Sequence, residues 1–194
     1  MNHLIIYSHP NPKSFSHAIK ETVAEVSLAK GHETAVRDLY ALGFDPVLKG
    51  SDFVGFQSGN VPADIAQEQM HVAWADLMTF VYPVWWTGLP AMVKGYIDRV
   101  YSNGFAFSYG ETGPIGLLKG KKAVIFNAMG TPNTYYEQSG MLPAMHKTSD
   151  MGIWQFCGIE VAHHAFLGGV PMADDATRKG MLDQVRQAME KLLQ

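Results

Sequence analysis

Three short runs in this chain are apolar without interruption by charge: Leu4-Ile5-Ile6-Tyr7, Leu77 to Tyr82, and Ala123-Val124-Ile125-Phe126. A strand with one wet face alternates polar and apolar residues, so unbroken runs of this length belong to strands covered on both faces. Such strands form parallel sheets with helices above and below. The segments between the runs have helical period, as that arrangement requires.

After Leu4–Tyr7, apolar residues recur at Phe15, Ala18, Ile19, Val23 and Val26, capped by Ser14 or Ser16 and ended by Gly31. Glu33 to Leu39 alternates weakly and reads as a second strand near an edge. A helix is expected from Asp64 to Ala75, and another after Pro90 with the stripe Val93, Tyr96, Ile97, Val100 and Tyr101, stopped by Asn103-Gly104. A further helix runs from Pro143 to Cys157, Glu160 to Leu167 is the fifth strand, and Asp174 caps a last helix facing inward through Met181, Val185, Ala188, Met189 and Leu192. Residues 40 to 62 and 104 to 120 carry Gly, Pro and aromatics without a sustained period and read as long loops. The expectation is one α/β domain over residues 1–194, a doubly wound five-stranded parallel sheet of flavodoxin-like order with helices on both faces. Right-handed crossovers then place the strand carboxyl ends on one edge, where open α/β sheets bind ligands.

Composition narrows the function classes. Of 194 residues, 47% are hydrophobic and 17% charged, enough for a core and unlike a disordered chain. A net charge of -3, with no Lys/Arg run longer than a pair such as Lys121-Lys122, lacks the footprint of a nucleic-acid binder. The single Cys157 excludes an internal disulfide and multi-cysteine metal sites. The start MNHLIIYSHP has no basic region before its short apolar run, and no stretch approaches the roughly 18 apolar residues of a membrane span. A soluble cytoplasmic protein is expected.

Three loops leave the carboxyl ends of strands one, three and four. Ser8 to His17 brings His9, Lys13, Ser14 and Ser16 to a helix start, where free N–H groups and the helix dipole suit a phosphate. Ser14 as an ordinary cap in a solvated loop is the plain alternative. Trp85 and Trp86 sit between Pro83 and Pro90, where a rigid turn can press apolar surface against a planar ring, unless both are core. Asn127 to Tyr136 joins small residues and backbone donors to Tyr135 and Tyr136; it is either a site for negative charge on a reduced heterocycle or merely a turn. A phosphate tail, a flat aromatic body and a charge-gathering edge together describe a flavin mononucleotide unit, whose chemistry needs from the protein only orientation and electrostatics. Walker A, GxGxxG and GxSxG are absent. No metal is expected, because the adjacent His163 and His164 point to opposite faces of a strand and Cys157 stands alone.

The sequence resembles the NAD(P)H:quinone oxidoreductase family of flavodoxin-like flavoproteins, of the short bacterial type. His9 with Ser14-Phe15-Ser16 is similar to the family's first phosphate loop, and Asp64-Ile65-Ala66-Gln67-Glu68-Gln69 to its D-I-x-x-E-Q helix start. Tyr82 to Val100 resembles P-x-x-W-[FWY]-x-x-P-A-x-[LV]-K-x-[WFY]-[IF]-[DE]-R-V, and Gly104-Phe105-Ala106-Phe107 and Phe156-Cys157-Gly158 also recur. The resemblance implies flavin phosphate contacts at His9, Ser14, Phe15 and Ser16. It implies ring contacts at Pro83, Val84, Trp85 and Trp86 and further contacts at Asn127, Ala128, Met129, Gly130 and Thr131, with Tyr135 or Tyr136 in the catalytic tyrosine's part. This chain has Asn127-Ala128-Met129-Gly130 where the best-known members have Thr-Thr-Gly-Gly, and no His over Gln138-Ser139-Gly140-Met141, so a Tyr–His relay is not carried over.

The expected activity is transfer of two electrons from NADH or NADPH to a quinone or similar small aromatic acceptor by a ping-pong mechanism, with FMN or alternatively FAD as cofactor. The loop aromatics Phe53, Phe56, Phe105, Phe107 and Tyr109, together with the resemblance, lead to the expectation of a homodimer. Two alternative readings stand beside it: an ancillary regulatory subunit of a potassium-efflux system, and a flavodoxin-type electron carrier.

Overall fold

A computed structural model describes residues Met1–Gln194. In chain order the first elements are β1 (Asn2–Tyr7), α1 (Phe15–Ala29), β2 (Glu33–Asp38), α2 (Gly50–Ser58), α3 (Ala63–Trp74), β3 (Leu77–Pro83) and α4 (Ala91–Val100). A short hairpin, β4 (Phe107–Gly110) and β5 (Gly113–Gly116), precedes β6 (Lys122–Ala128). The chain continues through α5 (Asn133–Gln138), α6 (Met141–His146), a π-helix (Lys147–Gln155), β7 (Glu160–Leu167), a 3₁₀ turn (Val170–Met172) and α7 (Asp175–Leu192).

The main sheet has the order β2-β1-β3-β6-β7 with every pair parallel, which is the expected flavodoxin-like order. Every residue of β3 is buried, as its unbroken apolar run requires, whereas β2 at the edge is half-exposed. One face is covered by α1 and α7 through Ile19, Val23, Val26, Val185 and Met189, packed on Ile5, Val81 and Phe126. The other is covered by α3, α4 and the π-helix through Val72, Val93, Tyr96, Val100 and Trp154, packed on Leu4, Phe80 and Ile125. Ser14 and Asp174 cap α1 and α7, their side chains accepting from His17 N–H and Thr177 N–H.

The structure corrects three expectations. Residues 40 to 62 contain α2, a helix hidden from sequence by its glycines and secured by tertiary contacts: Asp52 accepts from Lys49 N–H and pairs with the Arg99 guanidinium. Phe53 and Phe56 are therefore helical, and Phe107 and Tyr109 lie on the hairpin inside the expected 104–120 loop. The helix expected over 143–157 is α6 running into the π-helix, a wider coil that ends before Gly158 in the left-handed region (φ 84°).

Helices α3 and α4 dock through the two stretches that carry the family resemblance. Asp64 accepts from Arg99, Glu68 from Tyr96 Oη and Arg37, and Gln69 donates to the Val100 carbonyl. A Cβ at Gly95 would run into the Pro46 carbonyl, so only glycine allows that loop to lie on α4.

His3, fully buried in β1, bridges Ser27 Oγ and Thr79 Oγ1 at 2.8 Å each. Burial, assisted by His32, holds its pKa down at about 4. The native state thus prefers neutral His3, and this stability is complete above the unfolded value near 6.5 and is lost as pH falls towards 4. Urea unfolding at pH 7.5 and 4.5 is expected to show a loss about 2.5 kcal/mol larger for the wild type than for His3→Gln. Equal losses would refute it.

Candidate functional site

At the carboxyl edge of β1, β3 and β6 lies a cleft of about 460 Å³. It is lined by His9, Ser14, Phe15 and Ser16, by Pro83, Val84, Trp85 and Trp86, and by Ala128, Met129, Gly130 and Thr131. The three loops read from the sequence therefore meet at one place, as the sheet order dictates.

The first loop is braced internally. Asn11 Oδ1 accepts from Lys13 N–H, Asn11 O from Ser14 N–H, and His9 Nδ1 accepts from Asn11 N–H at 3.0 Å. His9 packs edge-on against Trp85 with ring centres 6.0 Å apart, and burial lowers its pKa. With Ser14 Oγ occupied by His17 N–H, the N–H groups of Phe15 and Ser16 at the start of α1 have no partner in the chain. Two free N–H groups at a helix N-terminus favour an anion.

The second loop is a tight turn closed by reciprocal bonds between Trp85 and Gly88, N–H to carbonyl at 3.2 and 3.1 Å. Its central residues, Trp86 (φ 52°) and Thr87 (φ 57°), are both left-handed. That conformation is rare for a bulky residue and an outlier for a β-branched one. On this turn Trp86 is fully exposed and Trp85 is 42% exposed, so neither indole is core. In the third loop the Gly130 and Thr131 N–H groups have no partner, while Met129 is pinned to β7 through its N–H bond to the Leu167 carbonyl.

Two expected site residues lie elsewhere. Asn127 is buried on the opposite pleat of β6 from Ala128, with Nδ2 donating to the Tyr82 carbonyl and Oδ1 facing His164 Nε2. Strand alternation turns it away from the cleft. Of the tyrosine pair on α5, Tyr136 lines the cleft and Tyr135 is a solvent-facing neighbour, 62% exposed. Val170 and Pro171 also line the cleft; the sequence signal for them is position alone, just after the fifth strand on the same edge. Burial pushes the Cys157 thiol up to about 11, so it is no nucleophile at neutral pH.

A family of flavodoxin-like fold matches residues 1–192. The chain belongs to that family. A Haemophilus influenzae protein described as an uncharacterized NAD(P)H oxidoreductase is 37% identical over all of this chain and 96% of its own length. The NAD(P)H dehydrogenase [quinone] 1 of Cavia porcellus is 30% identical over 97% of this chain and 76% of its own. The NAD(P)H:quinone oxidoreductase structure from Methanothermobacter marburgensis superposes with a TM-score of 0.88 at 30% identity, covering 99% of this chain and 98% of that one. Membership thus places the chain among oxidoreductases, as its motifs imply. None of its helices is long and apolar enough to cross a membrane.

Proposed function

We propose that this member of the flavodoxin-like family is a flavin-dependent oxidoreductase that takes two electrons from NADH or NADPH and delivers them to a quinone-like acceptor in the strand-end cleft. The observation that carries this reading is the convergence in one cleft of unpaired helix-terminal N–H groups, an outward-held indole pair and unpaired N–H groups at Gly130 and Thr131. The quinone-reductase names of the relatives at 30% identity agree with it. Flavin, when bound, supplies the two-electron chemistry that no side chain here provides.

Phe15 and Ser16 N–H with the Ser16 hydroxyl would hold the phosphate, and Trp85 and Trp86 would cover the ring system. Gly130 and Thr131 N–H would donate where negative charge gathers on reduction. Tyr136 supplies a phenol beside that edge. FMN is favoured over FAD because every phosphate-binding feature lies at one helix start.

The protein is expected to purify yellow or become so with FMN, and to oxidise NAD(P)H with a small quinone in parallel double-reciprocal lines. Tyr136→Phe slows cofactor reduction, and Tyr135→Phe does not. A colourless protein binding neither FMN nor FAD by calorimetry overturns the reading, and converging lines overturn the ping-pong sequence.

The aromatics near α2 and the hairpin support assembly as a homodimer. Phe53, Phe56, Phe107 and Phe156 line a cavity of about 660 Å³, flanked by Tyr109 at 70% exposure. Apolar surface of this kind marks an interface. Light scattering is expected to report twice the chain mass, reduced by Phe107→Glu.

A further inference from the structure

Beside the cleft, three groups from separate elements meet. His146 ends α6, Asp150 follows one turn later in the π-helix, and His164 stands in β7. The two imidazoles meet edge-on with ring centres 4.7 Å apart, and the Asp150 carboxylate bridges them, with Oδ2 2.9 Å from His146 Nδ1 and Oδ1 2.6 Å from His164 Nδ1. One ligand atom from each of the three lies within 4.8 Å of the others.

The arrangement of His164 is specific. Its Nε2 is 2.7 Å from Asn127 Oδ1, and Asn127 is oriented by its Nδ2 donating to the Tyr82 carbonyl. Nε2 therefore carries the ring's hydrogen. A neutral imidazole has only one N–H, so Nδ1 presents a lone pair to the carboxylate. Two lone pairs at 2.6 Å need a positive charge between them, either a second proton or a metal ion. A metal-ligating histidine whose other nitrogen donates to a fixed carbonyl oxygen is the usual outer-shell pattern.

We propose that His146, Asp150 and His164 bind one divalent transition-metal ion of the zinc type, with Asn127 orienting His164 from behind. Two imidazoles and one carboxylate suit such an ion and not magnesium or calcium, which take oxygen ligands. Three protein ligands leave a fourth position for water. Ligand bonds of about 2.0–2.1 Å in a tetrahedron set the ligand atoms roughly 3.4 Å apart, so the groups need only modest shifts. The His146 side chain, 39% exposed at a helix end, has room to make them and gives the ion its way in. His163 takes no part, since it packs on Phe126 on the other face of β7.

The ion would fasten α6 and the π-helix to β7. Phe166 stacks on His164 with ring centres 4.3 Å apart and belongs with Met129 and Met145 to the cluster against which Val84 and Tyr136 pack. The clamp thus sits directly behind the cleft wall.

Calorimetric titration of the chelator-stripped protein with zinc chloride tests the site, with Co²⁺ as a visible-absorption probe. The expected result is one ion per chain, a raised Tm in excess zinc, affinity at least tenfold weaker in His146→Gln, and near-complete loss in Asp150→Asn. His71→Gln, on α3, binds as wild type. His146→Gln removes a partly exposed ring and should fold even if Asp150→Asn does not. No binding at 100 µM zinc would show that protons alone occupy the gaps and overturn the proposal, as would unchanged affinity in His146→Gln.

Discussion

Ser16→Asp is expected to remove flavin from the protein almost completely. Ser16 sits in the first turn of α1, buried at 1% exposure yet lining the cleft, next to the unpaired N–H groups of Phe15 and Ser16. A carboxylate there meets a phosphate at about 5 Å, which at an effective dielectric of 20 costs about 3 kcal/mol per unit charge. That corresponds to a loss of roughly 200-fold in affinity. The same carboxylate interacts favourably with the helix dipole, so the loss would not come from unfolding of α1. Ser16→Asn separates size from charge and should retain most binding, while Ser16→Ala loses one ordinary hydrogen bond, about 1 kcal/mol. Flavin fluorescence titration of the three variants, with circular dichroism as a folding check, decides it. Full occupancy in the aspartate variant would mean that the phosphate binds elsewhere.

The largest expected loss of stability follows Arg99→Met. Arg99 is 2% exposed and donates from Nε to Asp52 at 2.8 Å and from Nη1 to Asp64 at 2.7 Å and the Asp45 carbonyl at 2.9 Å. One side chain thus ties α4 to α2, α3 and the loop before α2. The guanidinium holds the Asp52 carboxyl below its usual range, so the pair contributes fully above pH 4 and fades as acid protonates Asp52. Removing Arg99 leaves the buried Asp52 carboxylate without a counter-charge, with only the Lys49 N–H to donate to it, a loss of about 3–5 kcal/mol against a total near 5–15. Arg99→Met with Asp52→Leu should recover much of it, because an apolar pair has no charge to desolvate. Urea unfolding at pH 7 measures both. A loss below about 1 kcal/mol in the single variant would show that α2 is anchored otherwise.

Much of this architecture is legible in the chain because its causes are local. An unbroken run such as Leu77 to Tyr82 specifies a strand buried on both faces whatever surrounds it. Ser14 and Asp174 announce their caps, and the order of strands and helices forces the strand ends, with His9, Trp85 and Gly130, onto one edge. What stayed hidden depends on partners far away in sequence. Helix α2 exists because Asp52 finds Arg99, 47 residues later. The stretches at 64–69 and 82–100 read as family marks, yet only their packing explains Asp64, Glu68, Gln69 and Arg99, which hold one helix against another. The pleat of β6 decided that Asn127 faces away from the cleft and Ala128 borders it, and the entry of α5 decided that Tyr136 and not Tyr135 reaches the cleft. Sequence alone determined the sheet, its order and the edge where the cleft opens. Which side chains face the cleft, and that His146, Asp150 and His164 meet at all, only tertiary structure decided, because side-chain direction and long-range pairing are set when the helices pack.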